Sequence, residues 1–123
     1  MTAEHLSLGA EGEARAAAHL RRRGYRIVGQ NVRSGGVEID LIVRRGRLIA
    51  FVEVKTRRSR AQGPPELAVD ARKQARLLRG AAAWLHCRPD RIREVRFDVI
   101  ACERDRAGRW HVRHVEAAFD AGL

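Results

Sequence analysis

Residues 37–57 read VEIDLIVRRGRLIAFVEVKTR, and the fold turns on them. Val37, Ile39, Leu41 and Val43 alternate with Glu38, Asp40 and Ile42, the two-residue period of a half-buried strand. After the tight turn at Arg44–Arg47, residues 48–56 are rich in the apolar and β-branched types that strands favour. The two runs predict a β-hairpin over 37–56. Glu53 and Lys55 interrupt its second arm on the face of Phe51, although Glu and Lys are almost never fully buried unless paired. With Arg45–Gly46 as a two-residue turn, Asp40 faces Phe51 and Glu38 faces Glu53. Glu38, Asp40, Glu53 and Lys55 then project to one side, with Asp40 and Glu53 as diagonal neighbours about 7–8 Å apart at the backbone. Crowded carboxylates repel, so either one has its pKa raised or a cation sits between them. Such oxygen ligands suit Mg²⁺ or Mn²⁺ rather than zinc. A one-residue bulge would undo this parity.

Outward from the hairpin, residues 7–23 predict a helix, with Ser7 as N-cap and Gly24 as its stop after the basic run Arg21–Arg23. Residues 25–33 predict a strand and 34–36 a turn. Residues 57–66 form a basic loop, and Pro65 is placed to open a second helix over 66–86. Residues 94–103 and 109–115 add two strands. The order α-β-β-β-α-β-β predicts an α/β fold, a mixed β-sheet of about five strands flanked by helices. At 123 residues the chain is the size of one domain, 1–123.

Both helices carry a polar residue inside an apolar stripe. In the first, Glu13 interrupts Leu6, Ala10, Ala17 and Leu20; in the second, Gln74 interrupts Leu67, Ala71, Leu78, Ala81 and Leu85. An ionised carboxylate is costly to bury alone, so Glu13 either opens onto a polar site or has a basic neighbour. Gln74 can donate and accept, and could reach the same cleft or a base edge. The structural alternative is a salt bridge of Lys55 with Glu53 or Glu13. Against it stands the whole set, since disagreement between local pattern and burial tends to mark function.

Net charge is +10 and the isoelectric point about 11.3, carried by arginine, with only Lys55 and Lys73 as lysines. The arginine fork matches phosphate geometry, so a polyanion is the expected partner; a compositional bias toward Arg and Ala is the bland alternative. No run approaches the roughly 20 apolar residues of a membrane span, and the start of the chain lacks the pattern of a signal peptide. Cys87 and Cys102 form no CxxC. A cytoplasmic protein with no membrane partner is expected.

At these residues a resemblance emerges. The segments GAEGEARAAAHLRRRGYRIVGQNVR, VEIDLIV, LIAFVEVKTRRS, GPPELAVDARKQARL and RFDVIA resemble the YraN family of small bacterial proteins, from about Gly9 to Phe119. That family is assigned to the restriction-endonuclease-like, PD-(D/E)xK superfamily and is similar in layout to archaeal Holliday-junction resolvases. The resemblance puts the superfamily's first acidic position on Asp40, its (D/E)xK on Glu53, Val54 and Lys55, and its helix glutamate on Glu13. Val37 stands where the family usually has glycine. The implied activity is metal-dependent phosphodiester hydrolysis on DNA, branched DNA included. Asp40, Glu53 and the Val54 carbonyl would hold Mg²⁺ or Mn²⁺, Lys55 would orient water or stabilise developing charge, and Glu13 would act in the outer shell or help a second ion. Arg57, Arg58, Arg60, Lys73 and Gln74 are the candidate nucleic-acid contacts. Branched-DNA enzymes often work as symmetric pairs, so a homodimer is compatible. A binding module that kept this fold without turnover, and a structural adaptor, are the competing readings.

Other signals are expected to be structural. His111 and His114 are three apart in a strand, on opposite faces, which argues against a shared metal. Trp84, Trp110 and Phe119 read as core, and Asp98 as the salt-bridge partner of Arg96.

Overall fold

The structure, a computed structural model, describes residues 7–58, 63–65, 69–88 and 91–120. Helix α1 (Leu8–Arg22) begins where the Ser7 hydroxyl accepts the Ala10 N–H at 3.1 Å. Strands β1 (Arg26–Ser34), β2 (Val37–Arg45) and β3 (Leu48–Arg57) follow, then α2 (Ala71–His86), β4 (Glu94–Arg104) and β5 (Trp110–Val115). The strands lie in sequence order in one sheet, antiparallel except for the parallel step from β3 to β4 that α2 bridges. This is an α/β architecture, a mixed five-stranded sheet with two helices, consistent with a restriction-endonuclease-like fold.

The helices cover opposite faces. Ile42, Ile49, Phe51, Phe97 and Val99 meet Leu77, Ala81 and Trp84 of α2, with Phe51 edge-on to Trp84 and stacked on Phe97. Leu41, Val43, Ala50, Val52, Ile100 and Cys102 meet Ala16 and Leu20 of α1. Each large apolar side chain so buried contributes about 1.5–3 kcal/mol, which fixes β3 at the centre of the molecule. Among the described residues no helix is long and apolar enough to cross a membrane.

The hairpin register differs from expectation. Arg45 pairs with Leu48, so the turn is Gly46–Arg47, and Ile42 opposes Phe51. A slip of two preserves the faces, but a second departure does not. Val37 and Ile39 pack with Ile42 on the α2 side, whereas Leu41 and Val43 pack on the α1 side. The alternation of β2 therefore breaks at Asp40. The chain twists there because the ladder to β3 ends at Leu41 and Val52, and Asn31, across on β1 between Gln30 and Val32, has φ of 49°. Just before, Gly35 (φ 60°) and Gly36 (φ 77°) take the left-handed positions of the turn. Val37 then begins the strand opposite Ser34 and is under no such demand.

Helix α2 starts at Ala71, later than expected, because the Asp70 carboxylate accepts the Lys73 N–H at 2.9 Å and caps it. Leu67, and Leu6 of the first predicted stripe, lie outside the described residues. The buried face of α2 is Leu77, Gly80, Ala81 and Trp84, rotated from the expected stripe: Ala71 is exposed, and Leu78 and Leu85 are half-buried. That of α1 is Gly12, Ala16, Ala17 and Leu20, which leaves Ala10 exposed and Glu13 on the rim.

Candidate functional site

The hairpin opens at Asp40. Beyond the last ladder pair, the Val54 N–H donates to Asp40 Oδ2 at 2.8 Å. A carboxylate thus replaces the strand carbonyl that would otherwise accept this donor. The N–H and C=O of one strand residue point to the same side, so the Val54 carbonyl faces the same opening. Glu53 precedes it on β3, only 6% exposed, and its carboxyl group meets that of Asp40. Burial, then the charge of Glu53 and to a lesser degree that of Glu13, push the Asp40 pKa up from 3.8 to about 7, against the opposing effect of the Val54 N–H. Crowding and partial burial of two carboxylates raise the pKa of one of them in this way.

Glu13 reaches this point because α1 approaches the sheet closely. A Cβ on Gly12 would lie 2.0 Å from Thr56 Oγ1, so only glycine permits the contact. The Cys102 thiol donates to the Gly12 carbonyl from the sheet side at 3.2 Å. Inside a helix glycine costs about 1 kcal/mol relative to alanine; here that cost brings the next residue to the sheet's open end.

From the other face, Lys73 Nζ lies 2.6 Å from Glu53 Oε1. Burial disfavours its charge, but the hydrogen bond to Glu53 and the charges of Glu53 and Asp40 outweigh this and hold the Lys73 pKa above the usual lysine value. Lys55, half-buried, lies within hydrogen-bonding reach of Lys73. The salt-bridge alternative is therefore realised for Glu53, with Lys73 rather than Lys55. In front lies a cleft of about 280 Å³ lined by the carboxylates of Glu38, Asp40 and Glu53 and by the cations of Arg33, Lys73 and Arg76.

Two carboxylates and a strand carbonyl are a hard-oxygen donor set. Mg²⁺ typically binds through one or two carboxylates and completes its shell with water and phosphate oxygens, so Asp40, Glu53 and Val54 fit it. Among the described residues no group of three or more His, Cys, Asp and Glu side chains is gathered to hold a metal. Such an ion would rest on this pair, and Lys73 would have to yield Glu53 to it.

The structure thus brings Glu13, Asp40, Glu53, Lys55 and Lys73 to one end of the sheet. Gln74 is elsewhere: its side-chain amide donates to the Val69 carbonyl at 3.0 Å, just ahead of its own helix. Arg57 turns inward, 6% exposed, with its guanidinium 2.6 Å from the Gly63 carbonyl and 3.7 Å from Glu103. Arg58 is exposed beside the β4–β5 turn at Arg104–Gly108, and Arg60 lies outside the described residues. Arg33 and Arg76 escaped the sequence reading. Arg76 was detectable as the residue one helical turn after Lys73; Arg33 faces the cleft through its pairing with Glu38, which depends on a bulge in β1.

The remaining buried charges form networks of their own. Asp98 accepts from Arg96 at 2.8 and 2.9 Å, from His114 Nε2 at 2.8 Å and from the Ala117 N–H at 3.0 Å. Burial alone would raise the Asp98 pKa, but the bonds from His114, Arg96 and Ala117 hold it below the usual range. His111 pairs separately with Asp105. Trp84 is buried, and Phe119 stacks on Phe97.

A mixed sheet whose central hairpin presents paired carboxylates to a cleft that Lys73 and two arginines also line defines an α/β protein of restriction-endonuclease-like layout. The chain belongs to the uncharacterised protein family UPF0102, whose profile matches residues 12–102; this is the YraN family of the resemblance. It is similar to the UPF0102 protein of Syntrophotalea carbinolica, 46% identical over 121 residues covering 98% of this chain and 97% of that one. The UPF0102 protein of Trichlorobacter lovleyi is 45% identical over 93% of this chain and 91% of its own. That of Geobacter metallireducens is 44% identical over 98% of both.

Proposed function

We propose that the protein is a divalent-cation-dependent nuclease that hydrolyses phosphodiester bonds in DNA. The observation that carries this reading is the Asp40–Glu53 pair, held at an opened strand end in a cleft of about 280 Å³ that Arg33, Lys73 and Arg76 also line, with the Asp40 pKa raised to about 7. Asp40, Glu53 and the Val54 carbonyl would hold Mg²⁺ or Mn²⁺, which when bound would polarise a phosphate and acidify a water. Arg33 and Arg76 line the place a phosphate would take and would orient it through charge-assisted hydrogen bonds. Lys55 and Lys73 supply positive charge beside the developing oxyanion. Glu13 sits behind Asp40 and acts on it electrostatically. A cytoplasmic location and action as a symmetric pair of protomers belong to the same reading.

The contact of Lys73 with Glu53 favours a second reading, a nucleic-acid-binding module without turnover, in which the ammonium replaces the metal for good. Purified protein, offered plasmid and four-way-junction DNA with Mg²⁺ or Mn²⁺, separates the two. The nuclease reading expects cleavage that the Asp40→Asn variant lacks. Cleavage of equal rate in that variant would overturn the assignment of the site. Salt-sensitive binding with no cleavage under any divalent cation would establish the binding module.

A further inference from the structure

The end of the sheet remote from the cleft is a cluster of arginines that the site does not use. Arg26 and Arg44 are direct cross-strand partners on β1 and β2, an arrangement of like charges that destabilises a sheet unless something compensates it. Arg45 lies over the Tyr25 ring at 4.2 Å and donates to the Arg23 carbonyl at 3.0 Å. Arg44 donates to the carbonyls of Gly46 and Arg91 at 2.8 and 3.3 Å. The Arg47 carbonyl receives the Arg93 N–H at 2.9 Å, which sets Arg93 beside Arg47. Arg26, Arg47 and Arg93 are exposed, and among the described residues none of the three has a carboxylate at ion-pair distance. The C-terminal dipole of α1 accounts for basic residues in its last turn. It does not account for arginines on the ends of strands, which carry almost no net dipole.

We infer that this arginine end is a second binding surface, for the phosphate backbone of a nucleic acid, separate from the cleft. Three features fit that partner. The charge is carried by guanidinium groups, whose planar fork suits phosphate oxygens, against one exposed carboxylate, Glu94, which follows Arg93 and pairs with Leu48. Adjacent strands place the backbones of Arg26 and Arg44 about 4.8 Å apart, and the carbonyl contacts of Arg44 and Arg45 hold two of the forks in place. Among the described residues the surface offers no fully exposed apolar side chain to enter a lipid bilayer: Tyr25 and Leu48 are buried beneath it and Ile92 is half-buried against the core. Five residues of β3 separate Leu48 from Glu53, about 17 Å of extended chain. One duplex can therefore touch both ends of the sheet over roughly five base-pair steps. The surface anchors nucleic acid whether or not the cleft cleaves it.

The test measures duplex binding in EDTA, so that cleavage plays no part. The triple variant Arg26→Gln, Arg47→Gln, Arg93→Gln is compared with Arg15→Gln, Arg72→Gln, Arg109→Gln, three exposed arginines scattered over the rest of the surface. The first is expected to weaken binding at least about tenfold and to flatten the slope of log affinity against log salt by about 3, one per phosphate contact. The control is expected to change the slope by less than about 1. Equal losses from both triples would make the effect one of net charge and overturn the inference. So would wild-type DNA binding by the first triple together with lost adhesion to anionic vesicles. Single substitutions at Arg26 and Arg47, each worth about one unit of slope, decide the matter if the triple variant does not fold.

Discussion

Asp40→Asn should make the metal-free protein more stable, with a gain that is largest at neutral and higher pH. The side-chain oxygen that accepts the Val54 N–H at 2.8 Å survives the substitution, while the charge that burial and Glu53 oppose is removed. The folded-state pKa of about 7 exceeds the ordinary 3.8, so the folded protein binds this proton more tightly than the unfolded chain does. The stability from that proton is complete below the unfolded pKa and is lost as pH rises through the folded one. A shift of about three units sets a ceiling of about 4 kcal/mol. Asp40 is only half-buried, and screening by water lowers the expected gain to about 1–2 kcal/mol. For a chain of this length that is a rise in Tm of roughly 4–8 °C. Thermal melts in EDTA should show the gain near pH 8, see it shrink through pH 7 to 5, and find none near pH 4. Saturating Mn²⁺ should then reverse the order of the two proteins, because only the wild type gains the free energy of binding. A gain independent of pH, or an Asn variant less stable at pH 8, would refute the reasoning about Asp40.

Lys73→Met should lower stability by about 1–2 kcal/mol, because Glu53 stays buried without its partner while a Lys73 41% exposed is already screened; denaturant melts read this. The same variant should bind Mn²⁺ more tightly in calorimetry, by a larger factor than Arg76→Met, which removes a charge from the cleft but no contact with Glu53. Gly12→Ala should destabilise by about 1–3 kcal/mol despite the better helix propensity of alanine, through overpacking against Thr56, and Thr56→Ala should recover part of the loss. Burial and the charges of Arg23, His114 and Arg22 depress the His19 pKa, so the unfolded chain takes up its proton first and stability falls as pH drops below about 6.5. His19→Asn should flatten that fall in melts taken from pH 7 to 5.

The hairpin and the element order were legible because apolar strand runs and a tight turn are local properties of 37–56; Asp40 and Glu53 meet as expected although the register differs by two residues. What could not be read is the break in alternation at Asp40. Val37 and Ile39 look like the continuation of Leu41 and Val43, and nothing in their side chains announces that the strand twists between them. The helix faces were misplaced for a related reason. Gly12 and Gly80 are contact positions through their lack of a side chain, and a periodicity that counts apolar residues passes over them. The Asp70 cap was missed because Pro65 offered an earlier start to the same helix. Lys73 was noted as a basic residue on that helix, but its contact with Glu53 needs the helix docked at the right rotation.

Asp40 and Glu53 belong to one hairpin, and its turn at Gly46–Arg47 brings them together over a short stretch of chain. Contacts of that kind assemble in microseconds. Lys73 arrives only once the crossover from β3 to β4 has closed, a slower event because more chain entropy must be lost first. During folding the acidic pair therefore exists for a time without its resident cation. If the pair is a metal site, as proposed, a divalent ion in the refolding buffer would meet it then without a competitor, and the order of assembly would make the nascent chain more receptive to metal than the finished protein.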